Sequence, residues 1–529
     1  MNADERGTPS AVAPPLTYHV TALQITIYFN REGDHDHNGL IFALTENVPL
    51  LKYIRALGKV GSPPGPGGAT PGDSPDAWYA AASARAALLQ VELPATPEDA
   101  RRPHPLVRPL VLRARPGDEL RVELQNEVSG RHVGLHLVGD GYDVRTDDGS
   151  HVGRNESSLT PPGGTRAYTW RCRHEGVFPF HDGGNYSGGE DGTNVHGLFG
   201  ALVVEPPGSI WRDPVTGLRS EDEGGAFREL DGLEMDILPP GPYQSEPVRA
   251  SETTLDTHAW PEPCAYPNFD VEPHREFVIV FHDQPEFVPP HGTPPESPCP
   301  AEGGGGHGGG HGAHGDVPPI MPVSYRAEPM INREHTLWKL LDEGHVLVRP
   351  VLNEEQHHSS WMFGDPVTPI LKAYIGDPVR IRLLHAGVKE THVFHLHLYE
   401  WHAVAQDRTS PRIDAISFSP QTGHTIEPLW GAGNRHQVAA DVIWHCHLYP
   451  HFHEGMWGMF RTFETRQDGV DGAELQGGDP AYKARRIGRY PDGTRIERLL
   501  PLPGRTPPPL PTPARPGFPL YIPGEMKQK

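Results

Sequence analysis

Residues 441–460, DVIWHCHLYPHFHEGMWGMF, constrain the fold more than any other part of the chain. Two histidines flank one cysteine (His445, Cys446, His447), a further histidine follows at His451, and a methionine at Met456. An apolar run, 442–444, leads into the cluster and Met-Trp-Gly-Met-Phe leads out of it, so the pattern predicts a strand, a ligand loop and a returning strand. A thiolate, two imidazoles and a thioether suit a blue-copper electron-transfer site, with soft sulfur donors and the thioether as a long axial ligand. The second imidazole is expected from a neighbouring strand, where THVFHLHL offers His392, His395 and His397. The plain reading is a solvated His-rich turn beside one small buried cysteine. It does not account for a cysteine between two histidines, with His and Met at loop spacing and His-x-x-His-x-His on a second strand.

At 529 residues the chain has room for two or three domains and a sizeable core. Gly and Pro, 60 each, favour many turns and short strands over long helices. The net charge of −22 argues against nucleic acid as a partner; it is compatible with attracting cations and equally with a plain acidic surface. Four cysteines (Cys172, Cys264, Cys299, Cys446) are too few for a disulfide scaffold, and a Cys264–Cys299 pair is left open. The N-terminal stretch lacks a basic region followed by an apolar one, and no apolar run is long enough to span a membrane. As written, the chain is expected in the cytoplasm unless a leader has been trimmed or another export route serves it.

Along the chain, residues 1–16 read as a disordered tail, and YHVTALQITIYFN (18–30) as a strand. GDHDHNGL, with His35 and His37, reads as a surface turn. Residues 58–76 read as a flexible loop and 76–93 as a short helix. From Val107 the pattern is strand, turn, strand, giving one antiparallel sandwich over 17–207. Residues 208–274 read as a linker or draped strap, and 275–465 as a second sandwich. A Gly/His tract (His307, His311, His314) forms a flexible insertion within it. The Pro-rich extension 466–529 reads as polyproline-like and able to wrap the body.

The two sandwiches echo each other. GDPVRIRLLHAG matches GDELRVELQN, VFHLHLYEWH matches GLHLVGDGY, DVIWHCH matches GVFPFHD, and GMWGMFRTFE matches GLFGALVVEP. Four segments in one order predict an all-β chain of two duplicated Greek-key sandwiches with long Pro/Gly-rich connections. In this alignment His136 falls on His395 and His181 on His445, while Asp182 stands where Cys446 does. The first unit therefore lacks the thiolate at this place and offers two histidines, His136 and His181, at the positions facing the metal.

His392-x-x-His395-x-His397 with His445-Cys446-His447-x-x-x-His451-x-x-x-x-Met456 resembles the C-terminal signature of the multicopper oxidases. GLFGALVVEP and the two N-terminal histidine strands resemble that family's N-terminal copper domain, and the likeness covers 105–207 and 275–465. The resemblance implies cupredoxin-like domains and a type 1 copper on His392, Cys446, His451 and Met456 that takes single electrons from substrate. It implies that His445 and His447 pass those electrons to an oxygen-reducing cluster. His136 and His395 would hold the type 2 copper, and His181, His397, His445 and His447 the type 3 pair. The chain departs from the family in one respect. Each N-terminal motif normally reads His-x-His, but here the motifs are His136-Leu-Val138 and His181-Asp-Gly183. Six imidazoles remain where the family has eight. His132, His174, His196, Asp182 and Glu190 are candidate replacements; His196 stands foremost, although a supporting role suits it better.

The stretch 208–274 is too short for the middle domain of a three-domain laccase, so a two-domain build is expected. In such relatives the cluster lies between subunits of a trimer; closure within one chain is also open here. The expected function is a laccase-like copper oxidase, removing single electrons from a phenolic or other small organic substrate or a metal ion, with O2 as acceptor. Met456 as axial ligand implies a lower or moderate potential and readily oxidised substrates. Two other readings stand beside it. One is a two-copper, nitrite-reductase-like enzyme with a mononuclear copper on His136, His181 and His395. The other is a non-catalytic copper-binding electron carrier.

Overall fold

In the strand Glu119–Asn126 the apolar residues Leu120, Val122 and Leu124 are buried, while Glu119 and Arg121 face solvent. This period-two pattern places one sheet face against a core. The computed structural model describes residues 15–60, 74–139, 141–222, 224–243, 267–285, 287–288, 319–342, 357–467, 498–510, 512, 517–519 and 523–524. The first sandwich has one sheet in the order Leu40–Leu44, Leu16–Gln24, Glu119–Asn126, Thr165–Arg171. Its second sheet runs Leu110–Ala114, Phe199–Val204, Gly176–His181, His136–Leu137. Tyr18, Leu120, Trp170, Phe180 and Leu202 fill the space between them.

The second sandwich faces Ile210–Arg212, Glu234–Leu238, His274–Phe281, Val379–His385 and Gly423–Ile426 against a sheet of Ile370–Tyr374, Trp457–Phe463, Ala440–Cys446, His392–Leu396 and Ala415–Phe418. Its core includes Phe277, Phe394, Trp444, Cys446, Met456 and Phe460. The chain is all-β in architecture, two cupredoxin-like sandwiches with short helices in the connections.

Several expectations are corrected. Neither sandwich is purely antiparallel. Leu16–Gln24 runs parallel to Glu119–Asn126, and Leu110–Ala114 parallel to Phe199–Val204. The second unit repeats both pairings, in His274–Phe281 with Val379–His385 and in Ile370–Tyr374 with Trp457–Phe463. Alternation reports which face a residue takes, whereas strand direction is set by crossovers. The stretch 208–274, expected as a strap, supplies two strands of the second sandwich, with Glu234–Ile237 pairing His274–Phe277. They are short, and their apolar residues Trp211, Met235 and Ile237 form a small core of their own.

GDHDHNGL is not merely a surface turn: His35–Asp36 pairs Ile27–Tyr28, and Asp36 is buried. The expected helix is present as Asp76–Leu89. A second, Val48–Lys59, buries Leu50, Leu51, Ile54 and Leu57, the spacing of one helix face.

The N-terminal tail up to residue 14, the core of the 58–76 loop, the Gly/His tract, Cys264, Cys299 and most of the C-terminal extension lie outside the described residues. Within the extension, 498–510 lies on the second sandwich, where Tyr374 Oη donates to the Leu499 carbonyl at 2.7 Å and Arg275 Nη2 to that of Leu500 at 2.7 Å. Cys172 and Cys446 are buried free thiols. No described helix is long and apolar enough to cross a membrane.

Candidate metal centre

Strand geometry distributes the histidines between two sites. Ala440–Cys446 lies between Trp457–Phe463 and His392–Leu396, antiparallel to both, with Phe394 opposite Cys446 and His395 opposite His445. Alternation turns His392 and Cys446 into the core and His395 and His445 to the other face. Consecutive residues thus serve opposite sides of one sheet.

In the core, His392 Nδ1 and His451 Nδ1 lie 3.0 Å apart, with Cys446 Sγ 3.8 Å and 3.6 Å from them. A point about 2 Å from all three atoms exists inside this triangle, which is the usual length of a metal–imidazole bond. Met456 is fully buried in the same core. The loop is closed by Cys446 N–H donating to the Met456 carbonyl and Met456 N–H to that of His451, both at 3.0 Å. Val393 N–H points at Sγ from 3.5 Å.

The ring nitrogens are sorted for this task. His451 Nε2 donates to Glu390 Oε2 at 2.7 Å, which leaves the Nδ1 lone pair facing inward. His392 Nε2 is buried with no hydrogen-bond partner. Burial, then His385, His451 and His282, push His392 down to about 2, so the ring is neutral. Burial pushes the Cys446 thiol up, so a thiolate there calls for a bound cation. A soft sulfur, two neutral imidazoles and a nearby thioether fit copper in donor chemistry. The Asp283 carboxylate holds the Glu390 loop by accepting from the N–H groups of Val388, Lys389 and Glu390 at 3.1, 2.7 and 2.7 Å.

On the other face His395, His397 and His445 bring their ring nitrogens together, His397 Nε2 and His445 Nε2 being 3.2 Å apart. His447 joins them through ring contacts of 5.2 Å with His395 and 5.5 Å with His445. His397 and His447 are exposed. Burial pushes His445 down to about 4, which keeps it a neutral donor of a lone pair.

The first sandwich repeats half of this arrangement. His136 stands opposite His181, as His395 stands opposite His445, with ring centroids 5.1 Å apart. The second-unit pair gives its Nδ1 atoms to backbone carbonyls, His395 to Asp414 at 2.8 Å and His445 to Cys446 at 2.9 Å. The first-unit pair matches them, His136 to Asp148 at 2.8 Å and His181 to Asp182 at 2.9 Å. All four rings therefore keep Nε2 for a ligand. Tyr186 stacks on His181 at 3.8 Å. Among the described residues of one chain, the His136–His181 pair and the second-unit group remain separate, with no ring contact or shared set of convergent nitrogens between them.

Two of the candidate replacement ligands, His196 and Asp182, are otherwise engaged. His196 uses both ring nitrogens, on Asp36 Oδ2 at 2.7 Å and the Glu190 carbonyl at 2.8 Å. Asp182 accepts from the N–H groups of Gly134, Gly184 and Asn185 and from Thr193 Oγ1. His174 is exposed on the loop before Gly176–His181. Glu390 was missed at the sequence level. It precedes His392 by two residues, but nothing local announces that it reaches His451.

No protein-family model matches the chain, and no curated protein matches it. Among solved structures it is similar to a multicopper oxidase at 13% identity, covering 84% of this chain and 88% of that one, with a TM-score of 0.39. It is also similar to the copper nitrite reductase of Nitrosomonas europaea, at 12% identity, 84% and 93% coverage and a TM-score of 0.39. The blue copper oxidase of the same organism gives 13%, 67% and 76%, and 0.35.

Proposed function

We propose that this protein is a copper-dependent oxidoreductase of the multicopper-oxidase type, oxidising a small reductant one electron at a time. One observation carries the reading: the His392–Cys446–His451 triangle is continuous in sequence with His445 and His447, which belong to a second histidine group on the opposite face of the sheet. Copper bound at the two places supplies one-electron chemistry at the first and oxygen-reducing chemistry at the second. In this reading His392, Cys446, His451 and Met456 hold the first ion, and His395, His397, His445 and His447 contribute to the second site.

The chain's own groups set up the rest. Phe281, Phe394 and Trp444 keep water from the core side of the triangle. Glu390, its side chain 35% exposed, holds the proton on His451 Nε2 and is where a reductant approaches. Its carboxylate suits a phenol, which gives up a proton with its electron, and equally a low-valent metal cation. The residues 445–447 form a short bonded path between the two sites.

His136 and His181 complete the second site from another copy of the chain, O2 being the acceptor there. The separation of the two histidine groups within one chain favours this closure, and a trimer is the assembly we propose. The test pairs two inactive variants, His181→Ala and His395→Ala. Mixed and reassembled, they regain oxygen uptake if one copy's intact pair meets another copy's intact group; no recovery means closure within a chain or none.

The ion count is read with electron paramagnetic resonance. About four coppers with two visible would mean a coupled pair, whereas about two, both visible, with nitrite turnover and no oxygen uptake, would favour the nitrite-reductase-like reading. In the first unit only His136 and His181 stand at the positions matched to second-unit ligands, and that is what keeps this second reading in view. Cys446→Ser removes the intense visible absorption; a variant that stays blue overturns the first-site assignment.

A further inference from the structure

The second histidine group is short of imidazoles, because Val138 and Gly183 stand where ligands are expected and His196 and Asp182 are fully bonded elsewhere. A further ligand must be a side chain with an unengaged donor atom near that group. Among the described residues, buried ring nitrogens without a partner occur in His274, His282, His358 and His392. His392 belongs to the first site. His274 lies against Phe269 and His282 against Phe199, both away from the second group. His357 lies 3.7 Å from Glu334.

His358 is placed differently. Its Nε2 is buried and unpartnered, and its ring packs 4.9 Å from Trp457 and 5.2 Å from Phe452. Trp457 is the cross-strand neighbour of His445, and the Phe452 ring lies 4.5 Å from that of His445. After burial and Arg333, the rings that press on the charge of His358 include His445 and His397, so it stands in the electrostatic field of the group itself. The backbone there is held rather than loose: Arg333 Nη1 donates to the His357 carbonyl at 2.6 Å, and Ser359 Oγ accepts from Met362 N–H at 3.2 Å. That segment belongs to neither copper motif, so motif reading passes over it.

We propose that His358 is an additional copper ligand of the group formed by His395, His397, His445 and His447. The proposal rests on the copper reading of that group. It makes residues 357–359, just ahead of the short helix Ser360–Phe363, part of the metal site, and it supplies from the second unit an imidazole that the first unit lacks.

The test compares copper per chain, resonance spectrum and visible band in the copper-loaded wild type, His395→Ala, His358→Ala and the bulkier His358→Gln. Support is a visible band unchanged from wild type together with copper at the second group bound about tenfold or more weaker in both His358 variants, as in His395→Ala. Recovery of that copper when free imidazole is added to His358→Ala also supports it, since a packing defect is not repaired by a ligand. If both His358 variants keep all their copper while His395→Ala loses some, the proposal is overturned and the copper reading stands. If the wild type holds only the copper that Cys446→Ser removes, and His395→Ala loses none, the reading of the second group falls and the proposal with it. Loss of the visible band in both His358 variants makes the residue a packing element and also overturns it.

Discussion

A carboxylate on the outer nitrogen of a metal-facing histidine decides which nitrogen turns inward and how strongly it donates. Glu390 does this for His451 and is itself held by the Asp283-bound loop. Glu390→Gln keeps the shape and removes the charge. It should lower turnover about 10–100-fold, with the reduction potential of the first site rising, as read by redox titration of its visible band. Unchanged turnover and potential would place Glu390 outside the site's chemistry. His104 illustrates a buried imidazole with a purely structural task. It accepts from Leu106 N–H through Nδ1 and contacts the Glu92 carbonyl through Nε2 at 3.0 Å. Burial, with Arg326 and Arg108 nearby, pushes it down to about 4. A neutral folded form favours the fold above the ordinary histidine value, and this contribution is lost as pH falls through about 4. His104→Gln should therefore flatten the acid side of the stability profile by on the order of 3 kcal/mol, measured by denaturant titration between about pH 7 and 4. An identical slope would show that His104 is not responsible.

At the level of the elements, the duplication extends to a packing detail as well as to strand order. Gly200 faces Phe180, one residue before His181, and Gly458 faces Trp444, one residue before His445. A Cβ at Gly200 would stand 2.3 Å from Phe180 Cζ and 2.5 Å from the Leu110 carbonyl oxygen. One at Gly458 would stand 2.2 Å from Trp444 Cζ2 and 2.8 Å from the Pro369 carbonyl oxygen. In each unit glycine is required so that an aromatic ring can lie flat across the returning strand and seat the histidine that follows. Gly458→Ala should destabilise the protein by about 1–3 kcal/mol through overpacking and perturb the visible band. A variant of wild-type stability would mean that Trp444 repacks freely. The matched strands, their glycines and the His136/His395 and His181/His445 correspondence were all legible in sequence, because period-two patterning and small residues at fixed offsets are local properties. The parallel pairings and the strands within 208–274 were not, since they join segments far apart in sequence.

Across the whole molecule, the two sandwiches are joined by a buried ionic network. Arg113 of the first donates to Glu205 at 3.0 Å and to Glu276 of the second at 3.2 Å. Arg382 donates to Glu276 at 2.7 Å and reaches Glu175 and Glu205 at 3.3 and 3.4 Å, while Arg380 bridges Glu427 and Glu175, each at 2.6 Å. Burial and then Glu276 push Glu205 up to about 8. Burial acts upward on Glu276 too, but Arg382 and Arg113 outweigh it and hold that carboxyl down. Arg382→Met leaves Glu205 and Glu276 with Arg113 as their remaining guanidinium and should cost about 3–5 kcal/mol, lowering the denaturant midpoint. Separate unfolding of the two sandwiches in that variant would show the network to be what couples them. A loss under about 1 kcal/mol would show that Arg113 and a protonated Glu205 suffice.

The sequence by itself determined which side chains are offered to the proposed first site, and that Cys446 shares one strand with a histidine of the second group. A His-Cys-His run on a strand must send neighbours to opposite faces, and no tertiary contact can alter that. It also determined that, at the positions matched to the second unit's motif, the first unit carries two histidines, His136 and His181, and no cysteine. The tertiary structure alone decided which of the surplus polar groups are spent: His196 on Asp36, Asp182 on three backbone amides and Thr193, Glu390 on His451. It alone decided that the His136–His181 pair has no ring contact with the second-unit group in one chain, and that His358 packs against Phe452 and Trp457, the neighbours of His445. These depend on how loops and crossovers bring distant segments together, and a buried polar group takes whichever partner that packing supplies.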